Sequence, residues 1–279
     1  MMHRKTLGFL GPKGTFSEEA ALCYMQKCRR SLQECSSIPA VLEQTSQGLL
    51  DEGIVPLENS LEGGVGVTLD LLAIQNGLFI CREIIYPVHH CLLASSATAL
   101  GDIRQVYSHP HALGQCRIFL EQKLPGATCY TTESTAAAAR LIPKVSGAAA
   151  IAPRRAASIF DLRLLAENIE DSVDNVTRFV ILARRDSDPT GRDKTSLVLS
   201  VPDGPGSLYL VLGFFARASV NLTRIESRPA RRSLGDWLFF IDCEGHRLEP
   251  KLAQLFSELS CAVPFLKLLG SYPADPYIA

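Results

Sequence analysis

An apolar run from Thr6 to Leu10 breaks at Gly11-Pro12-Lys13-Gly14-Thr15-Phe16-Ser17. Beyond it Ala21, Tyr24, Met25 and Cys28 recur at helical spacing. The pattern predicts strand, turn and helix, with Ser17 as N-cap and Glu18 and Glu19 complementing the positive helix end. The device then recurs. Gly53 to Leu57 ends at Glu58-Asn59-Ser60, Ile103 to Tyr107 at Ser108-His109-Pro110, and Ala127 to Thr131 at Glu133-Ser134-Thr135. After Ser108, the positions Ala112, Leu113, Cys116, Phe119 and Leu120 share one helical face, and Ala136 to Ile142 is rich in the strongest helix former. Such alternation predicts an α/β fold with a mostly parallel sheet covered on both faces. Ligands of these sheets lie beyond the carboxyl ends of the strands, which here carry Thr15, Ser17, Asn59, Ser60, Ser108, Ser134 and Thr135.

The pattern changes after the polar stretch Asp186-Ser187-Asp188-Pro189-Thr190-Gly191-Arg192-Asp193. Strands are expected over Thr195 to Val201, Val220 to Glu226, Trp237 to Asp242 and Val263 to Leu268. Helices are expected over Leu208 to Ala218 and Lys251 to Leu259. That order, βαββαβ, is the ferredoxin-like unit.

A chain of 279 residues has room for both units. Its net charge of −1 gives no electrostatic reason to bind nucleic acid or an anionic membrane, so anion binding must come from local geometry. No apolar run approaches the ~20 residues that cross a bilayer. Met1-Met2-His3-Arg4-Lys5 resembles the start of a signal peptide, but the break at residues 11–14 comes before an apolar core can form. Nine cysteines, with no paired spacing among Cys23, Cys28 and Cys35, read as reduced thiols in the cytoplasm rather than a metal site.

Candidate chemistry centres on Thr177-Arg178-Phe179, which opens the apolar strand Val180 to Ala183. An arginine that keeps its charge beside a hydroxyl donor suits a carboxylate-bearing substrate. Each serine or threonine taken alone reads as a helix cap, and their convergence near Arg178 is what points to a site. His89 and His90 are neighbours in an extended run and face opposite sides, so at most one reaches any given site. His109 is expected to shape a helix entry.

These residues resemble the prephenate dehydratase family. Gly11-Pro12-Lys13-Gly14-Thr15-Phe16-Ser17 is similar to its GPxGTFS opening, and Val55-Pro56-Leu57-Glu58-Asn59-Ser60 with Glu62-Gly63 to its VPxENSxEG segment. Ser108 to Cys116 resembles SHPQALxQC, Ser134 to Ala139 resembles STAxAA, and Asn175 to Phe179 resembles NxTRF. His111 stands where glutamine is usual, and Pro153 where a serine is common.

The resemblance implies decarboxylative dehydration of prephenate to phenylpyruvate, with no cofactor and no metal. Arg178 would clamp one carboxylate, and the serines, threonines and helix-start amides the other. Thr177 would donate toward the departing hydroxyl, with Glu58 as the alternative acid and Phe179 as cleft wall or core. The implied fold is a two-lobed, periplasmic-binding-protein-like catalytic domain over residues 1–185. Lobe one would take about 1–80 and 165–185, and lobe two about 81–164.

Asn221-Leu222-Thr223-Arg224-Ile225-Glu226-Ser227-Arg228-Pro229 resembles the NLTxIESRP segment of the ACT domains attached to these enzymes, implying such a domain over 194–272. Gly206-Ser207-Leu208 stands where Gly-Ala-Leu is usual. L-phenylalanine would bind between two subunits, at Gly206, Ser207, Leu208, Asn221, Leu222, Glu226, Ser227 and Arg228, in a homodimer or homotetramer. With no helical stretch before residue 7, the chorismate mutase domain of some relatives is expected to be absent. The rivals are an arogenate dehydratase acting on the aminated analogue, a solute-binding protein, and an amino-acid sensor without activity.

Overall fold

A computed structural model describes residues 5–26, 30–230 and 237–275. The expected helix position Cys28 and the start Met1 to Arg4 lie outside the described residues. The chain begins with β1 (Lys5–Leu10), α1 (Phe16–Gln26), β2 (Arg30–Cys35) and α2 (Ile38–Ser46). It continues through β3 (Glu52–Asn59), β4 (Gly63–Gly64), α3 (Gly66–Ile74) and β5 (Phe79–Pro87). A second series follows: β6 (Cys91–Ala94), β7 (Gln105–Ser108), α4 (Pro110–Gln115), α5 (Arg117–Lys123) and β8 (Thr128–Thr131). It closes with α6 (Thr135–Leu141), β9 (Ala148–Ala152), α7 (Arg154–Ile159) and β10 (Arg163–Ala166), after which β11 (Val176–Ala183) returns.

The first sheet has the order β2-β1-β3-β11-β5, with β4 paired to β3, and the second β10-β6-β9-β7-β8. Both are mixed rather than mostly parallel. Strands β1, β2 and β3 are mutually parallel, but the returning β11 runs antiparallel to both β3 and β5. The outward crossing expected near residue 80 lies at residues 88–90, because β5 stays in the first sheet as far as Pro87 and pairs with β11 along its length.

Alternation along β11 sets the core. Phe179 and Ile181 pack with Leu7, Phe9, Ile54 and the α1 residues Ala20, Ala21 and Tyr24. Val180 and Leu182 face the other way, into a cluster holding Val41, Leu42, Val55 and Leu57. In the second sheet β9 is alanine and isoleucine throughout and wholly buried, so helices approach both of its faces.

The C-terminal part comprises β12 (Asp193–Ser200), α8 (Ser207–Arg217), β13 (Leu222–Pro229), β14 (Trp237–Glu244), α9 (Pro250–Ala262) and β15 (Phe265–Pro273). These strands form an antiparallel sheet of order β13-β14-β12-β15. Strand β12 is buried on both faces, and the reason is visible in its partners. Leu197 and Leu199 pack under α8 and α9, whereas Val198 joins Phe240, Leu269 and Tyr272 in the cluster of Val180 and Leu182. The third sheet therefore shares one apolar core with the first, and burial of that surface holds the two together.

Candidate active site

A cleft of about 520 Å³ opens between the first two sheets. Phe16, Pro56, Val65 and Val88 give it apolar walls, and Asn59, Thr177, His109, His111, Ser134 and Thr135 bring polar groups. Its floor is a chain of amides. Asn59 Nδ2 donates to Thr177 Oγ1 at 2.9 Å and to Asn175 Oδ1 at 2.8 Å. Asn175 Nδ2 donates to Gln115 Oε1 at 2.9 Å, which the His90 ring meets through Nε2 at 3.0 Å. With the Gln115 oxygen already accepting, His90 carries its proton on Nε2, and its buried Nδ1 has no hydrogen-bond partner among the described residues. Burial holds the His90 ring below the ordinary imidazole range, against Gln115 and Glu170, which act in the opposite sense.

Besides the bond from Asn175 to Gln115, further contacts cross from one lobe to the other. At the cleft mouth, Gln115 Nε2 donates to Glu62 Oε1 at 3.2 Å, and His111 Nδ1 lies 3.6 Å from Glu62 Oε2. Behind the cleft, Arg155 on α7 grips Glu18 on α1 through Nε at 2.8 Å and Nη2 at 3.1 Å.

The expected ligand groups divide. Asn59, Ser134, Thr135 and Thr177 line the cleft, although Ser134 also caps α6 by accepting from Ala137 N at 3.0 Å. Thr15, rather than Ser17, caps α1, its hydroxyl accepting from Glu18 N at 3.4 Å, while Ser17 is buried at the second position of the helix. Ser108 is fully buried and donates to Ile151 O at 2.6 Å. Ser60 bonds Val176 N and Asp174 O and faces a different cavity. Phe179 is core, not wall.

Arg178 and Glu58 face away from the cleft. Each is the strand neighbour of a cleft residue, Thr177 or Asn59, and alternation turns it to the opposite face. Arg178 is 7% exposed and lies under the third sheet, bonded to Glu83, Asp242 and Tyr272. Glu58 Oε2 sits 2.9 Å from Arg224 Nε. Both residues line a larger cavity of about 830 Å³ between the first and third sheets. The expected guanidinium clamp is thus not in the cleft, and no arginine or lysine is among the described residues that line it.

Sequence reasoning passed over His90, His111, Gln115, Glu62 and Phe16 as site residues, and gave His109 only the helix entry. That helix role is present: His109 Nδ1 accepts from His111 N at 3.3 Å at the start of α4, and the ring also reaches the cleft. The available signal was the spacing of His111 and Gln115, i and i+4 on one helix face.

In the third sheet, Gly206, Ser207 and Leu208 line a pocket of about 320 Å³ with Trp237 and Phe239. Gly206 has φ +82, which the turn into α8 requires of a glycine. Leu222 packs into the local core instead, and Asn221 donates to Glu244 at 3.0 Å. Ser227 lies on β13 between two docking residues. Glu226 abuts the Gly64 backbone, and Arg228 Nε donates to Asp70 Oδ1 at 3.1 Å.

Comparison with known proteins gives the fold a lineage. The prephenate dehydratase family model matches residues 7–187, and the ACT domain model residues 195–259. The bifunctional chorismate mutase/prephenate dehydratase of Aquifex aeolicus is 42% identical over 267 residues, covering 96% of this chain and 73% of that protein. The prephenate dehydratase of Arthrobacter aurescens, solved in complex with L-Phe, superposes with a TM-score of 0.89 at 38% identity, covering 96% of this chain and 90% of that one. GqqA, described as a novel type of quorum-quenching acylase, superposes at 0.88 with 32% identity, covering 99% and 100%. With its cleft between two lobes and its C-terminal βαββαβ unit, the chain belongs to the prephenate dehydratase family and carries an ACT domain.

Proposed function

We propose that the cleft converts prephenate to phenylpyruvate, with Thr177 as the group that assists the departing hydroxyl, and that L-phenylalanine at the ACT domain regulates the rate. The observation that carries the catalytic reading is the bond from Asn59 Nδ2 to Thr177 Oγ1. Because the amide donates, the threonine keeps its own proton for another acceptor. In the reaction the bond to the ring carboxylate breaks and its electron pair enters the ring. The carboxylate leaves as carbon dioxide, and the ring in turn expels the hydroxyl, whose oxygen keeps the pair of the broken carbon–oxygen bond and departs as water once it receives a proton.

That no arginine or lysine is among the described residues lining the cleft fits this chemistry. A guanidinium on the departing carboxylate would stabilise charge that the transition state must lose, which strengthens substrate binding without speeding the step. The apolar walls from Phe16, Pro56, Val65 and Val88 favour that loss of charge. The side-chain carboxylate, which keeps its charge, is left to His109, His111, Ser134 and Thr135.

A shared effector site needs at least two chains. Exposed Tyr209, Leu210, Ile225 and Trp237 on the ACT domain support an assembly of two or four. Free thiols at Cys23, Cys35, Cys91, Cys116, Cys129, Cys243 and Cys261 support a reducing, cytoplasmic setting.

The decisive experiment incubates the purified protein with prephenate and follows phenylpyruvate, with and without L-phenylalanine. Product is expected, at a rate that L-phenylalanine changes. No product overturns the catalytic reading, and product at an unchanged rate overturns the regulatory one. Arogenate in a parallel arm separates the two dehydratase substrates, since the same polar groups suit both. The acylase relative suggests amide hydrolysis as a second reading. That chemistry needs a base on the threonine, and the recorded partner of Thr177 Oγ1 is an amide donor.

A further inference from the structure

We propose that Asp242, in the ACT domain, is a positioning residue for the dehydration, acting through Arg178 on the placement of the Thr177 hydroxyl. The inference rests on the catalytic reading of the cleft given above.

The Arg178 guanidinium donates through Nε to Glu83 Oε2 at 2.8 Å, through Nη1 to Asp242 Oδ2 at 2.5 Å and through Nη2 to Tyr272 Oη at 2.7 Å. Glu83 belongs to the catalytic sheet, whereas Asp242 and Tyr272 belong to β14 and β15 of the ACT sheet. The ACT side of the site is also tied within its own sheet. Ser196 Oγ donates to Asp242 Oδ1 at 2.5 Å and lies 2.5 Å from Tyr272 Oη. Two more ions interleave the domains, Lys194 on Glu83 at 2.8 Å and Arg224 on Glu58 at 2.9 Å. Arg178, Lys194 and Arg224 thus meet Glu83, Asp242 and Glu58, with Glu226 also on Arg224, and a buried arginine keeps its charge whatever happens to its partners. Withdrawal of Asp242 therefore obliges the guanidinium to move toward another acceptor.

Movement of Arg178 reaches the chemistry by the shortest route in the chain. Thr177 precedes Arg178, and Asn59 follows Glu58, whose Oε2 lies 3.7 Å from Arg178 Nη1. On the ladder Thr177 pairs with Asn59 and Arg178 with Glu58, and the register breaks between Arg178 and Phe179. On the β3 side a bulge thus separates the end of β11 that carries both residues from the rest of the ladder, whereas on the β5 side Val176 to Ile181 stay in register. Side-chain anchors on its two faces add to the β5 pairing in setting its position. On the effector side, Trp237 and Phe239 line the pocket beside Gly206 and lie on the same strand as Asp242. A ligand that orders the start of β14 acts on the strand that holds Arg178.

The test uses the full-length chain with Asp242→Asn, and Lys267→Met as comparison. Lys267 joins the domains elsewhere, through Leu72 O at 2.7 Å and Gln75 O at 2.6 Å, and touches no member of the Arg178 cluster. Asp242→Asn should lower kcat on prephenate roughly tenfold, with KM within about twofold and the response to L-phenylalanine reduced, the signature of a lost transition-state arrangement. Lys267→Met should lower Tm without that change in kcat. Wild-type kcat and wild-type effector response in Asp242→Asn overturn the proposal, and so does an equal loss of kcat in Lys267→Met. Should Asp242→Asn not fold, Tyr272→Phe removes one Arg178 partner while keeping the ring, and an unchanged kcat there is equally fatal. If the wild-type protein does not turn prephenate over, hydrogen exchange at residues 175–179 decides the matter. Those amides should exchange faster in Asp242→Asn than in wild type or Lys267→Met, and equal rates overturn the positioning role independently of the activity.

Discussion

Thr177 and Arg178 are consecutive, yet one faces the interlobe cleft and the other a cluster of buried carboxylates beneath the ACT sheet. A single peptide unit separates a hydroxyl that lines the cleft from a guanidinium that anchors the ACT domain. The same division holds on the partner strand, where Asn59 supports the hydroxyl and Glu58 meets Arg224. The motif is therefore two devices back to back, and substitutions at its two positions should fail in different ways.

Thr177→Val keeps the shape of the side chain and removes the proton donor. Loss of positioned acid assistance typically costs about 10²–10⁴-fold in rate, so kcat on prephenate should fall within that range while Tm stays near wild type. Asn59→Ala should lower kcat by a smaller factor, because it frees the hydroxyl without deleting it. Turnover of phenylpyruvate under saturating prephenate measures both. Near-normal kcat in Thr177→Val would remove that residue from the mechanism.

Arg178→Met should act first on stability. Removing one member of a buried ion cluster leaves its partners uncompensated, a cost of about 3–5 kcal/mol. Asp242 is held below the ordinary carboxylate range: burial pushes it up, but Arg178 and Arg224 outweigh that. Without Arg178 much of that compensation disappears. Thermal unfolding should show a large fall in Tm, and Arg178→Lys a smaller one, since an ammonium keeps the charge although it cannot serve three acceptors in one plane. A raised KM at unchanged Tm would instead restore the arginine to the substrate.

Much of this architecture was legible in the pattern of apolar positions, and the failures have physical causes. The βαββαβ order of the last third follows from period changes between Thr195 and Leu268, and β13 and β14 extend a few residues beyond their expected ends because they pair with each other. Alternation states that Thr177 and Arg178 oppose one another, but not which face a second domain will cover, so the arginine was assigned to the wrong side. The crossing between lobes was misplaced because Phe79 to Pro87 reads as a strand in either sheet, and only its pairing with β11 decides. His111 and Gln115 were overlooked because polar residues at a helix start look like solvated caps. What brings them to the floor and mouth of the cleft is the approach of Asn175 and Glu62 from the other lobe, a tertiary fact.

Gly270 marks where the ACT sheet meets the catalytic sheet most closely. Its φ is +149, and a Cβ there would lie 2.2 Å from Ile80 O and 2.7 Å from Ile80 N, both backbone atoms that cannot swing aside. Gly270→Ala combines backbone strain with overpacking, each worth about 1–3 kcal/mol. Unfolding in urea should show a loss of about 3 kcal/mol with an unchanged m-value. Gly101→Ala, where nothing lies within 4 Å of the new methyl, is the matched control and should leave the midpoint where it is.

The ion pair behind the cleft predicts how the protein responds to acid. Burial raises the Glu18 carboxyl, but the bonds from Arg155 and from Gly14 N at 2.7 Å, with Lys13 nearby, bring it below the ordinary value of 4.5. A carboxylate depressed in the folded state contributes stability that is complete above its unfolded pKa and disappears as pH falls through the folded one. The contribution should therefore be constant at neutral pH and lost only below about 4.5, the unfolded reference value. Glu18→Gln removes it at every pH, lowering stability at pH 7 by about 2 kcal/mol given that Arg155 is partly solvated. Chemical denaturation from pH 7 down to pH 3 tests the sign: the gap between wild type and Glu18→Gln should narrow as the solution becomes more acidic. A gap that widened in acid would show that Glu18 is not the depressed partner of this pair.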